Sequence, residues 1–242
     1  TVAKQAGLGG AVTITATDGS PTITLNGNIS TAGGTGAATG GGTVTFNDPV
    51  ILGGNRTITT GTGVGNIIFG NDATLNATTA FTDTLGLTAG SGNIDFNNTV
   101  GNATVLGAVT ITSGGTVDVE AAFTAAALTV TTSTTFDSTG ALIDTTGAAN
   151  ANGGAVDITA TGTLTVTGGI TTTGGADAGD TQGRNAGTVT LSGGDVIAGA
   201  ITATGSNATT VAKQAGLGGA VTITATDGSP TITLNGNIST AG

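Results

Sequence analysis

TVAKQAGLGGAVTITATDGSPTITLNGNISTAG occupies residues 1–33 and recurs letter for letter at residues 210–242. So long an exact copy does not arise from biased composition, so the chain holds one 209-residue unit and the start of a second. Internal repetition of this kind decides architecture before any local feature does. We read residues 1–242 as one continuous body, with 1–33 and 210–242 as the marks of a longer tandem array.

A finer rhythm lies inside the unit. A glycine just ahead of an alternating apolar run recurs at Val12, Val44, Ile67, Ile94, Val117, Val156, Val189 and Val221. These anchors divide the unit into seven shorter ones of uneven length, the longest running from Val117 to Val156. Each run alternates apolar and polar residues and favours β-branched side chains, as in Val12-Thr13-Ile14-Thr15, the pattern of a half-buried strand. Further short runs follow within a unit, such as Ile23-Thr24-Leu25 and Leu164-Thr165-Val166. Helical periodicity is absent.

Two or three short strands per unit suit one turn of a parallel coil, since a single coil buries too little to fold alone and must stack on its neighbours. The expected fold is therefore all-β: a right-handed parallel β-helix, or β-solenoid, with about seven coils per 209-residue repeat. At about 4.8 Å per coil, one repeat would rise roughly 34 Å. The third strand position after each anchor holds Ile14, Phe46, Phe69, Phe96, Val119, Ile158, Leu191 and Ile223, all apolar. It is expected to form one inward row in which Phe46, Phe69 and Phe96 stack. Segments 31–43, 145–155 and 172–187, rich in Gly, Ala, Asn and Asp, are expected as loops leaving one corner.

Composition removes several function classes. The chain has no His, Cys, Met, Trp or Tyr, only 7% charged residues, and a net charge of -10 with Lys4, Arg56, Arg184 and Lys213 as its only cations. Histidine-dependent triads, Cys/His zinc sites and a P-loop are missing, and a basic footprint for nucleic acid is absent. No apolar run reaches the roughly 18 residues of a spanning helix. The expectation is a chain without catalytic residues or a resident cofactor. Thr-x-Thr runs raise an ice-binding surface, which Asn47, Gly70, Asn97 and Glu120 at the fourth strand position interrupt. Asn-x-Ser/Thr sequons stand at Asn28, Asn55, Asn76, Asn97, Asn102, Asn207 and Asn237.

One candidate site remains. The second strand position, expected to face outward, holds Asp95, Asp118 and Asp157 on three successive anchors, with Glu120 close by. Like charges opposed across strands are destabilising. The row reads either as a solvated acidic stripe or as a weak calcium site made by Asp95, Asp118, Glu120 and Asp157, since calcium takes carboxylate and amide oxygens.

Runs such as GGAVDITATGTLTVTGGITTTGG (153–175) and GNIDFNNTVGNATVLGAVTITSGGTVDV (92–119) resemble the repeat regions of filamentous-haemagglutinin-type surface proteins, bacterial β-helical adhesins exported by two-partner secretion. The resemblance implies an extracellular or cell-surface filament. The primary expectation is a structural fibre whose partner is itself, through tandem units or end-to-end stacking. The alternative is an adhesin that binds glycans or neighbouring cells through its loops. The resemblance carries over no functional residue.

Overall fold

Alternation of β-branched and small polar residues with frequent glycine leaves no stretch that would sooner form a helix than a strand. A computed structural model describes residues 7–17, 21–34, 40–179, 182–209 and 213–242. It is all-β, with no helix among the described residues and none long and apolar enough to cross a membrane. Among the described residues nineteen strands join one sheet and three another, and every pairing between these strands is parallel.

The pairings resolve into three ladders, which the chain visits in a fixed cyclic order. Ladder one carries Val12, Val44, Ile67, Ile94, Val117, Phe136, Leu164, Val196 and Ile232 in register. Ladder two carries Ile23, Val50, Leu75, Val100, Phe123, Ile143, Ile170, Ile201 and Ile238. Ladder three carries Ile29, Ile58, Leu87, Ile111, Val130, Ile158, Leu191 and Ile223. This arrangement is consistent with a β-solenoid. From Val44 to Ile201 these residues are buried at 1% exposure or less and merge into one continuous apolar cluster.

The phenylalanine row forms as expected. Phe46 and Phe69 stack at 5.0 Å with planes 6° apart, and Phe69 and Phe96 at 5.2 Å and 3°. Phe123, from ladder two, closes the stack edge-on at 5.6 Å.

Two expectations need correction. The single row of anchors is divided: Val12 to Val117 lie in ladder one, whereas Val156, Val189 and Val221 lie in ladder three. The inward row of ladder one thus continues from Phe96 and Val119, and Ile158, Leu191 and Ile223 belong elsewhere. The long interval from Val117 to Val156 conceals a further pass of ladder one at Phe136 and of ladder three at Leu128. The long strand Phe123–Asp137 turns its corners without interruption and contains no glycine, so none marks those passes. Along the pairings, the chain returns to ladder one at Val44, Ile67, Ile94, Val117, Phe136, Leu164 and Val196, and Val221 follows two faces later.

The loops also differ from expectation, since they do not share one corner. Residues 31–43 lead from ladder three to ladder one, while 145–155 and 172–187 lead from ladder two to ladder three. Within them, 35–39, 180 and 181 lie outside the described residues. Their necks are alike. Buried Thr145 donates its hydroxyl to the Gly154 carbonyl at 2.7 Å, and its own carbonyl accepts the Gly154 amide at 2.8 Å. Thr172 and Gly187 repeat the exchange at 2.8 and 2.7 Å, and Thr31 and Gly42 make it at the other corner. Glycine is required at the neck by close approach. A Cβ on Gly187 would lie 1.9 Å from the Gly154 carbonyl oxygen, and one on Gly219 would lie 1.9 Å from that of Gly187. Beyond the necks, successive loops bond to one another: Gly147 N to Thr173 O, Gly153 N to Asn185 O and Ala186 N to Leu217 O, at 3.0, 2.8 and 2.9 Å. The described parts of 145–155, 172–187 and 203–219 thus form a stacked fin.

Phe69 has a ring on either side and Phe46 only one. Phe69→Ala is expected to lower the unfolding free energy by about 3–5 kcal/mol. It should exceed Phe46→Ala by about 1 kcal/mol, the worth of one further aromatic contact. Denaturant titration of both variants checks this; equal losses would contradict a stacked column.

Candidate functional site: the acidic ladder

In ladder one the inward positions of three consecutive passes are Ile94 and Phe96, Val117 and Val119, and Phe136, all buried. Strand alternation forces the residues between or after them outward. Those residues are Asp95, Asp118 and Asp137, with Asp95 in register with Asp118 and Asp118 with Asp137. The spacing from rung to rung is about 4.8 Å. Glu120 is exposed just beyond Val119, and its backbone amide bonds the Phe96 carbonyl at 3.0 Å.

The expected set is therefore only partly brought together. Asp95, Asp118 and Glu120 share one face, but Asp157 pairs with Thr129 and Thr190 in ladder three. Its place in the acidic row is taken by Asp137, which the anchor spacing missed because Thr134-Thr135-Phe136-Asp137 has no glycine ahead of it. The alternation Thr135-Phe136-Asp137-Ser138, identical in kind to Asn93-Ile94-Asp95-Phe96 in its outward aspartate, was the signal available. Among the described residues no three acidic, His or Cys groups are arranged to hold a metal ion. The four expected residues therefore do not stand in one row: Asp95 and Asp118 lie in register in ladder one with Glu120 beside them, and Asp157 lies in ladder three.

Electrostatics follow from the stacking. Partial burial, then the neighbouring Asp118 and Glu120, raises the Asp95 carboxyl above its ordinary value. Asp118 is raised by partial burial, then by Asp137 and Glu120, and a backbone hydrogen bond at Val119 partly offsets this. The Arg56 guanidinium is engaged elsewhere: its Nε donates to the Leu25 carbonyl at 2.8 Å and its terminal nitrogens donate to the Asn55 and Gly53 carbonyls. Asp195 behaves oppositely: the Thr231 hydroxyl at 2.6 Å and amide at 2.8 Å stabilise its carboxylate and lower it.

Three sequon asparagines clamp one circuit to the next: Asn28 Oδ1 accepts the Thr57 amide at 2.9 Å, Asn55 Oδ1 that of Thr84 at 3.0 Å, and Asn76 Oδ1 that of Ala103 at 2.9 Å. The residues expected to interrupt a threonine array lie with ladder one. Ladder three's outward row reads Thr57, Gly86, Thr110, Thr129, Asp157, Thr190 and Thr222, still broken by Gly86 and Asp157. Two open depressions, one beside Ser91, Ser113 and Ser133 and one around Gly86, have no carboxylate in their walls.

The chain matches no family model, no curated protein and no solved structure.

A carboxyl raised in the folded state binds more protons folded than unfolded between its two pKa values. Stability contributed by Asp95 and Asp118 thus falls as pH rises through that window. Asp118→Asn is expected to raise the unfolding free energy at pH 7 by about 0.5 kcal/mol, the scale of one cross-strand charge pair. The difference should vanish near pH 3, where the parent carboxyl is protonated. Denaturation at both pH values checks this; a less stable Asp118→Asn at pH 7 would show the carboxylate to be stabilising.

Proposed function

We propose that the chain is a length of extracellular fibre or surface filament, folded as a right-handed parallel β-helix and built from tandem 209-residue units. The observation that carries this reading is the succession of three parallel ladders through the described residues from Val12 to Ser239, with register shifts only beside Ile111 and Val130. Each circuit takes its partners from the circuits on either side, so length adds without a new core being designed. At about 4.8 Å per circuit, seven circuits and two faces give a rise of about 37 Å per unit.

The outward rows of Thr, Asn and Asp suit a solvated lateral surface. The resemblance of residues 92–119 and 153–175 to filamentous-haemagglutinin-type repeats supports the same reading and a cell-surface location.

The role is mechanical. Its stacked fin, drawn from 145–155, 172–187 and 203–219, is braced by backbone bonds between loops, a form that suits rigidity over the adaptable contacts of an adhesive loop. Arrays of two, four and six units, imaged singly by electron microscopy, are expected to lengthen by about 37 Å per unit at constant width. Compact particles that grow in all dimensions would overturn the filament reading.

A further inference from the structure

The two identical copies occupy different faces. In the first, Val12 lies in ladder one, Ile23 in ladder two and Ile29 in ladder three. In the second, the equivalent Val221 lies in ladder three, Ile232 in ladder one and Ile238 in ladder two. We infer that successive 209-residue units are out of phase by one face, so that whatever a unit presents on one side of the fibre the next presents on another.

The slip has a definite location. The glycine-marked anchors Val12, Val44, Ile67, Ile94 and Val117 stand in ladder one, and Val156, Val189 and Val221 in ladder three. Between Val117 and Val156 the chain makes one circuit and two faces, through the strand Phe123–Asp137, which runs from ladder two through ladder three to ladder one. The faces tolerate this because they are alike where it matters. The row Val-Thr-Ile pairs with Val44-Thr45-Phe46 as residues 12–14 and with Val189-Thr190-Leu191 as residues 221–223. Both pairings put apolar residues inward and threonine outward.

Resting on the tandem-unit reading, the consequence is a threefold surface. Three units restore the starting phase after twenty-three circuits, an axial period of about 110 Å. The acidic row Asp95, Asp118 and Asp137 and the fin then point in three directions in turn. Such a fibre has no acidic side and no fin side. A lateral partner, a second copy of the fibre included, meets the same chemistry from any approach, staggered by about 37 Å.

The phase can be read in the 242-residue chain, which has no cysteine of its own. Paired cysteines labelled with pyrene maleimide form an excimer only on adjacent rungs of one ladder. The pair Thr13→Cys with Thr45→Cys, in register in ladder one, is the positive control. Thr190→Cys with Thr222→Cys is expected to give excimer emission, and Ile197→Cys with Thr222→Cys monomer emission alone. If the second copy kept the phase of the first, Thr222 would stack on Ile197 and the two results would exchange, which overturns the inference; monomer emission from both, beside a positive control, overturns it equally. In a longer array, gold on a single Asp118→Cys per unit is expected to repeat in azimuth every about 110 Å, and a repeat of about 37 Å would overturn it. Arrays that form no fibre would sink the filament reading while leaving the excimer result to decide the phase.

Discussion

Everything in this molecule follows from one constraint: each circuit must lay its inward Val, Ile, Leu or Phe directly over that of the circuit before. Parallel strands can pair at about 4.8 Å only if their side chains are in register, and the three ladders keep the inward positions in register while circuit length varies, with shifts only at the corner beyond Ile111 and Val130. Along ladder one the chain returns soon from Val44 to Ile67 and takes a circuit half as long again from Val196 to Ile232. The variation is absorbed outside the column. A buried threonine and a glycine close a loop at its neck, so that loops of different length return the chain to the same point. The glycines are there because neighbouring circuits approach so closely that a methyl group would overlap a carbonyl oxygen.

The same constraint explains the acidic row. Asp95, Asp118 and Asp137 stand over one another because Ile94, Val117 and Phe136 do, and packing prevails over like-charge repulsion. The magnitudes make this reasonable. Burying a Phe or Ile side chain contributes about 1.5–3 kcal/mol, whereas an exposed pair of like charges across strands costs a fraction of one to about 1 kcal/mol. The carboxyls are raised as a by-product of register. Asparagine is used differently, with Asn28, Asn55 and Asn76 turning their side-chain oxygens to backbone amides of the next circuit at corners where the ladder leaves them unpaired.

Much of this was legible in the residues. Alternation identified the strands, and the recurrence of Phe46, Phe69 and Phe96 at one strand position identified the stack. What was not legible was phase. Counting circuits by glycine assumes that each turn is announced, and Phe123–Asp137 bends through two corners with Ala, Thr and Ser alone. One missed pass moved every later anchor to another ladder. Asp157 therefore took the place of Asp137 in the expected acidic row, and Ile158, Leu191 and Ile223 were assigned to the wrong column. The loops were found by composition, but composition says nothing of their corner or of the backbone bonds that join them into a fin.

Parallel strands stacked one on the next hold this molecule together. X-ray diffraction from aligned fibres of a tandem array reads that arrangement directly. The expected pattern has a strong meridional reflection near about 4.8 Å, because the hydrogen-bonding direction lies along the fibre. A reflection at about 4.8 Å confined to the equator, or none at all, would place the strands along the fibre or deny their stacking, and would contradict the structure at its base.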